Sequence, residues 1–403
     1  MATIMCALSG CSLAKSVISS TSQTSTYPST QPAATNPPKQ AEDFAHSYNS
    51  LKDDKVKELY MNIAENAQRM VSVPFKVEGE LTGKQIFEAV QAYKNDHPEV
   101  FWLLNETSYL FDNGYTTVYI FFNSNMDSVE RKEAKEKFNS AVEKILSKAP
   151  ADASDYEKEL FVNNYLVDNC EYDYDAIDRK KILNNENDAY GALVDKKAVC
   201  EGYARAFQLL CNRLGIDCVT MSGTTDGGSH AWNCAMLDNE WYQVDVTWND
   251  TEKQDSIVEN FYFNLTDEQM YSNHTAAPLY SEYSDEEFEK LENSCNEFVP
   301  ICTGTKYNYF RQSCVTLTDI NDSDDIVEAI AEAAKSDAKN FSFVIDDSLD
   351  FKSTYDTIVY DGYIAEWVDS ANLKNWYSPN LNDICKVYRI DTLKVITIEF
   401  EYI

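Results

Sequence analysis

The sequence predicts an α+β protein with a helix followed by a β-hairpin at its centre and smaller α+β modules on both sides. Three observations lead there. A run of apolar residues at helical spacing begins at Cys200. Two β-rich runs joined by Asp238-Asn239 follow within forty residues. Before and after this piece, helical periods mix with strand pairs closed by short turns.

The 403 residues suit two or three domains, each with a normal core. Acidic residues outnumber basic ones 67 to 34, a net charge of −33. A polyanionic surface repels phosphate, so no nucleic-acid partner is expected. The same charge describes a well-solvated surface and says little about substrate.

The chain opens on MATIMCALSGC, an apolar run that reaches Leu8-Ser9-Gly10-Cys11. This resembles a bacterial lipobox, in which Cys11 would carry a diacylglyceryl group. No lysine or arginine precedes the run, which predicts a longer reading frame upstream. Residues 12–40 are rich in Ser, Thr, Pro, Gln and Ala and cannot bury enough surface to fold, so they read as a tether. The division expected is a signal remnant at 1–11, a tether at 12–40, an accessory module at 41–150, the central domain at 151–280 and a second accessory module at 281–403. The expected location is the outer face of a bacterial membrane, touched only through the lipid.

Within 41–150, Val56, Leu59, Ile63, Ala67 and Met70 recur at helical spacing. Thr82 and Gln85 form a capping box that opens a second helix. Asn113-Gly114 between β-rich runs predicts a hairpin. An amphipathic helix spans about 128–148 and Pro150 ends it. In the C-terminal module, residues 324–336 read as a helix and 340–346 as a strand. Two closing strands there join through a tight turn at Asp391-Thr392.

Eleven cysteines and four histidines show no C-x-x-C pair, so no metal site and no cofactor is expected. Cys211, Cys218 and Cys234 fall at apolar positions and read as packing residues. His97 and His274 read as structural.

Cys200 is different because of where it sits. Ala204, Phe207, Cys211 and Leu214 continue its helical spacing, and Gly215 supplies a left-handed C-terminal residue. Cys200 therefore occupies the first turn, where unpaired N–H groups and the dipole favour a thiolate. Downstream come a strand at 216–221, a loop at 222–229, and then His230-Ala231-Trp232-Asn233. If Leu237 pairs with Glu240, Trp232 faces Asp245 and Thr247 faces His230. His230 and Asp245 are then diagonal neighbours about 7–8 Å apart on one sheet face. Asp245 can hold one imidazole nitrogen and leave the other for the thiol.

The order Val199-Cys200-Glu201-Gly202-Tyr203-Ala204, His230-Ala231-Trp232-Asn233 and Asp245-Val246-Thr247-Trp248 resembles the bacterial transglutaminase-like domain. The resemblance covers about residues 155–275. It implies a papain-like fold, with the cysteine helix on an antiparallel sheet, and a catalytic triad of Cys200, His230 and Asp245. The backbone N–H of Cys200 would stabilise an oxyanion. Tyr190, Gly202 and Trp232 are the further oxyanion or cleft candidates, with packing the plainer reading for Trp232. Val194 stands where papain-type proteases place an oxyanion glutamine. The function implied is cysteine-dependent acyl transfer on peptide or carboxamide bonds, with hydrolysis favoured over cross-linking. The partner expected is a protein or peptide substrate, cell-wall peptide included. The rival reading is a surface binding or scaffold protein with a degenerate core.

Overall fold

In the computed structural model, the residues described are 45–70, 73–122, 126–179, 185–226, 228–250, 260–276, 298–375, 380–382 and 385–403. Cys11 and the tether at 12–40 lie outside them. The chain divides into two compact units, one from residues 1–247 and 270–303, the other from 248–269 and 304–403.

The first unit begins with helices α1 (His46–Ser50) and α2 (Asp54–Arg69), the latter capped by the Asp53 carboxylate. Val56, Leu59, Ile63 and Ala67 of α2 are buried, the face that the periodicity marked. After β1 (Phe75–Glu78), α3 (Gly83–Asp96) opens on the Thr82/Gln85 capping box. Strands β2 (Leu103–Asp112) and β3 (Tyr115–Phe122) turn at Asn113 and Gly114, whose φ angles are 51° and 83°. Both central residues are left-handed, as a two-residue hairpin turn requires. The sheet order is β1-β3-β2, antiparallel throughout. Helix α4 (Ser128–Leu146) follows.

Helix α5 (Asp155–Asn169) opens on a Ser154/Glu157 capping box. Short pieces β4 (Glu171–Tyr172), α6 (Tyr174–Arg179) and β5 (Lys197–Ala198) lead to α7 (Cys200–Arg213). Helix α7 buries ten consecutive residues, Gly202 to Cys211. It packs on a four-stranded antiparallel sheet of order β8-β7-β6-β9: β6 Asp217–Thr225, β7 Gly228–Leu237, β8 Glu240–Val244 and β9 His274–Ala276. Leu237 pairs with Glu240, and Asp238 and Asn239 turn the chain with φ of 50° and 65°.

Two details of this sheet differ from the sequence reading. Residues 222–225 and 228–229 extend β6 and β7, so the expected loop is a hairpin end. Ser222, Gly223 and Thr224 pair with Ala231, His230 and Ser229 there. The β7–β8 ladder stops at Asn233–Val244, and Val246–Asn249 form a helical turn, so Thr247 does not face His230.

The second unit holds a mixed sheet of order β10-β11-β13-β12: β10 Val315–Leu317, β11 Asn340–Ile345, β12 Lys386–Ile390 and β13 Val395–Glu399. Helices at Asp324–Lys335, Phe351–Tyr360 and Tyr363–Lys374 bury Ile326, Ile330, Ile358, Trp367 and Val368 with Phe343, Ile396 and Ile398. The β12–β13 connection is a 3-10 turn, Asp391–Leu393, closed by Lys394 at φ 53°. It is longer than the two-residue turn expected at Asp391-Thr392.

Candidate active site

Cys200 is the first helical residue of α7, preceded by Val199 in extended conformation at φ −96° and ψ 179°. Val199, at the N-cap position, makes no side-chain capping bond. The first amides of the helix therefore remain available to an anion beside the half-buried thiol. A β-carbon on Gly202 would stand 2.5 Å from the Glu186 carbonyl oxygen and 2.8 Å from Ala198 Cβ. Only glycine fits where the helix start presses on that backbone.

Polar bonds fix the helix against its surroundings. Arg205 donates to the carbonyl of Lys94 at 2.8 Å, and Gln208 to that of Asn95 at 2.7 Å. The Asn233 side-chain amide donates to the carbonyl of Ala204 at 2.9 Å. That bond ties β7 to α7 and so sets His230 relative to Cys200. Arg205 also pairs with Glu201, the residue after Cys200.

His230 lies on β7, and Asp245 is the residue just after β8. His230 Nε2 and Asp245 Oδ2 are 2.7 Å apart, with side-chain exposures of 6% and 0%. The Cys200 side chain is also hydrogen-bonded to His230, which leaves Nδ1 as the nitrogen that faces sulfur. Burial pulls the His230 pKa down, but the charge and hydrogen bond of Asp245 outweigh it, and the imidazole is raised to about 10. Burial pushes the Asp245 carboxyl up, and the charge and hydrogen bond of His230 and the hydrogen bond of His274 reverse this. The net shift of Asp245 is well below the ordinary carboxylate range.

Of the other sequence candidates, Trp232 is buried and donates through Nε1 to Gln243 Oε1 at 2.6 Å. Its ring lies near-parallel to His230, with centroids 6.1 Å apart. Tyr190 packs between Phe101 and Phe138, at 4.5 and 5.9 Å between centroids, so packing accounts for it. Trp248 makes an edge contact with Tyr262 in the second unit. Cys211, Cys218 and Cys234 are buried, and Cys234 Sγ lies 3.6 Å from Cys302 Sγ.

Sequence reasoning set His274 aside as structural, and the structure brings it to the site. Its Nε2 lies 3.1 Å from Asp245 Oδ2 and its Nδ1 lies 2.7 Å from Asn273 Oδ1. No periodicity signals this, because β9 reaches Asp245 only by pairing with β6 across intervening chain. Among the described residues, His230, Asp245 and His274 form the one group of metal-ligand type. Both imidazoles bond to the Asp245 carboxylate, and that accounts for their grouping.

Residues 140–246 match the family model of the transglutaminase-like superfamily, a stretch that holds Cys200, His230 and Asp245. The chain carries a transglutaminase-like domain. Mouse kyphoscoliosis peptidase is 28% identical over 157 residues, which cover 34% of this chain and 22% of that protein. Human kyphoscoliosis peptidase is 27% identical over 167 residues, covering 38% of this chain and 24% of that protein. The match thus spans less than a quarter of either curated relative. A crystal structure of a TGase is 18% identical, covers 44% of this chain and 51% of its own, and has a TM-score of 0.27. The match to the transglutaminase-like domain ends at Val246, before His274.

Proposed function

We propose that the protein is a cysteine-dependent hydrolase of peptide or carboxamide bonds, working through a thioester on Cys200. The observation that carries this reading is His230, hydrogen-bonded to the Cys200 side chain and to the buried Asp245 carboxylate. Asp245 keeps the ring oriented and favours its protonated form, so His230 can hold the proton that Cys200 gives up.

The thiolate attacks the carbonyl carbon. A C–S bond forms, and the carbonyl π electrons move to oxygen. The Cys200 backbone N–H, at an uncapped helix start, donates to that oxygen. The oxyanion collapses, the C–N bond breaks, and His230 passes its proton to the leaving nitrogen. Water then enters; His230 takes its proton, the new C–O bond forms, and the C–S bond breaks to release a carboxylic acid and Cys200.

An amine in place of water would give a cross-link instead. Hydrolysis is favoured because the matched relatives are named peptidases. A fluorogenic library of peptides and carboxamides, run with and without a primary amine, tests this. The acid product should dominate in both arms; a dominant amide product would contradict hydrolysis. The proposed location is the outer face of a bacterial membrane, with a lipid on Cys11, supported by Leu8-Ser9-Gly10-Cys11 and the tether. Mass spectrometry of the native N-terminus should find lipidated Cys11, and an unmodified Met1 or Ala2 would contradict it.

A further inference from the structure

We propose that His274 is a positioning residue, a second donor that holds the Asp245 carboxylate in the orientation His230 needs. The inference rests on the reading of Cys200, His230 and Asp245 given above. Asp245 is fully buried, and one of its oxygens, Oδ2, receives both imidazoles, His230 at 2.7 Å and His274 at 3.1 Å. An ionised carboxylate only accepts, so Nε2 of His274 donates. Two imidazoles on one oxygen fix the direction from which that oxygen meets His230, and His274 thereby adds to the orientation of the pair.

The surroundings of His274 are built to the same end. Its side chain is fully buried, and the Asn273 side-chain amide lies against the far nitrogen at 2.7 Å. The edge of the ring meets Trp232 at 5.1 Å and 72°, the same indole that lies along His230. Strand β9 can approach because residue 223 of β6 is glycine. A β-carbon there would stand 2.1 Å from the Thr275 carbonyl oxygen and 2.7 Å from the Trp232 ring. Gly223 also pairs directly with His230. One residue of β6 thus admits both the strand that delivers His274 and the tryptophan that touches both histidines.

The test uses the full chain and needs no substrate. Iodoacetamide alkylation of Cys200 is followed by peptide mass spectrometry in His274→Gln, His274→Asn and each of these combined with Asp245→Asn. A glutamine amide reaches the place of Nε2, whereas asparagine reaches only that of Nδ1. H274N should slow Cys200 by about tenfold or more, in the range found when groups behind a first layer of ligands are lost. H274Q should stay near the wild-type rate, and H274N should add nothing once Asp245 is already Asn. Asn273 is exposed, so N273A folds even if H274N does not, and by freeing the ring it should slow Cys200 in the same direction. A wild-type rate in both H274N and N273A, or a full additional loss from H274N on D245N, overturns the role of His274 alone. A wild-type Cys200 no faster than the buried thiols overturns the catalytic reading and this inference with it.

Discussion

The sheet that carries His230 and the sheet of the second unit are buried in different ways. In the first, Thr220, Ser222, His230, Asn233, Gln243 and Asp245 are all buried polar groups on or beside β6, β7 and β8. Their bonds are directional: Thr220 to Gln208, Asn233 to Ala204, Trp232 to Gln243, His230 to Asp245. In the second, Phe343, Ile345, Ile396 and Ile398 face an apolar core, and Thr397 is the polar residue, bonded to Ser342 at 2.8 Å. Burial of apolar area is non-directional, so that sheet tolerates swaps that conserve volume. Buried polar pairs tolerate little, because removing one partner strands the other. The proposed chemistry sits where the interior is polar, and that region should lose rate before it loses fold.

Substitutions can break this contrast. The largest effect is expected from Cys200→Ala. Turnover should fall by several orders of magnitude with the melting midpoint unchanged, since a half-buried thiol at a helix start contributes little packing. His230→Ala should follow closely. Asp245→Asn should cost less than His230→Ala, because an amide can still hold the ring; equal losses would mean Asp245 does something else. Phe343→Ala in the second unit should cost about 3–5 kcal/mol of stability, yet leave the alkylation rate of Cys200 unchanged while the protein stays folded. Asn233→Ala should show the opposite balance, a loss of about 0.5–1.5 kcal/mol from the missing hydrogen bond to the Ala204 carbonyl and slower alkylation of Cys200.

A smaller effect sharpens the electrostatic side. His230 is raised from 6.5 to about 10 in the folded state. Its protonation therefore contributes stability that is fully present below pH 6.5 and is lost as pH rises to about 10. The contribution of Asp245, whose pKa is lowered from 3.8, is present above that pH and is lost below it. Melting curves of wild type and His230→Ala should differ most between roughly pH 4 and 6.5 and converge near pH 10. A constant gap across that range would contradict the pairing.

Much of the second half of the site's geometry was legible in the sequence, for stated reasons. The Leu237–Glu240 pairing follows from Asp238-Asn239, and the helix from Cys200 follows from its own apolar period. Helix ends marked by Thr82/Gln85 and Gly215 appear where local chemistry put them. What stayed hidden was non-local. His274 reaches Asp245 through a three-residue strand, too short for any period of two to register. The sequence analysis assigns no element to Phe351–Tyr360 and Tyr363–Lys374, two helices that Gly362 at φ 90° separates. Strand β8 ends at Val244, three residues short of the pairing expected through Thr247, because Asp245 leaves the ladder just before the chain turns helical at Val246.

The central claim, that Cys200 is an activated nucleophile, is tested most directly by competitive labelling. Native protein is exposed briefly to iodoacetamide at neutral pH, and the modification of each cysteine is read by peptide mass spectrometry. The account predicts that Cys200 reacts well ahead of Cys314 and Cys385, which are similarly accessible, and that this lead vanishes in His230→Ala. Labelling of Cys200 at the same rate as Cys314 and Cys385, or a lead that survives the loss of His230, would contradict it.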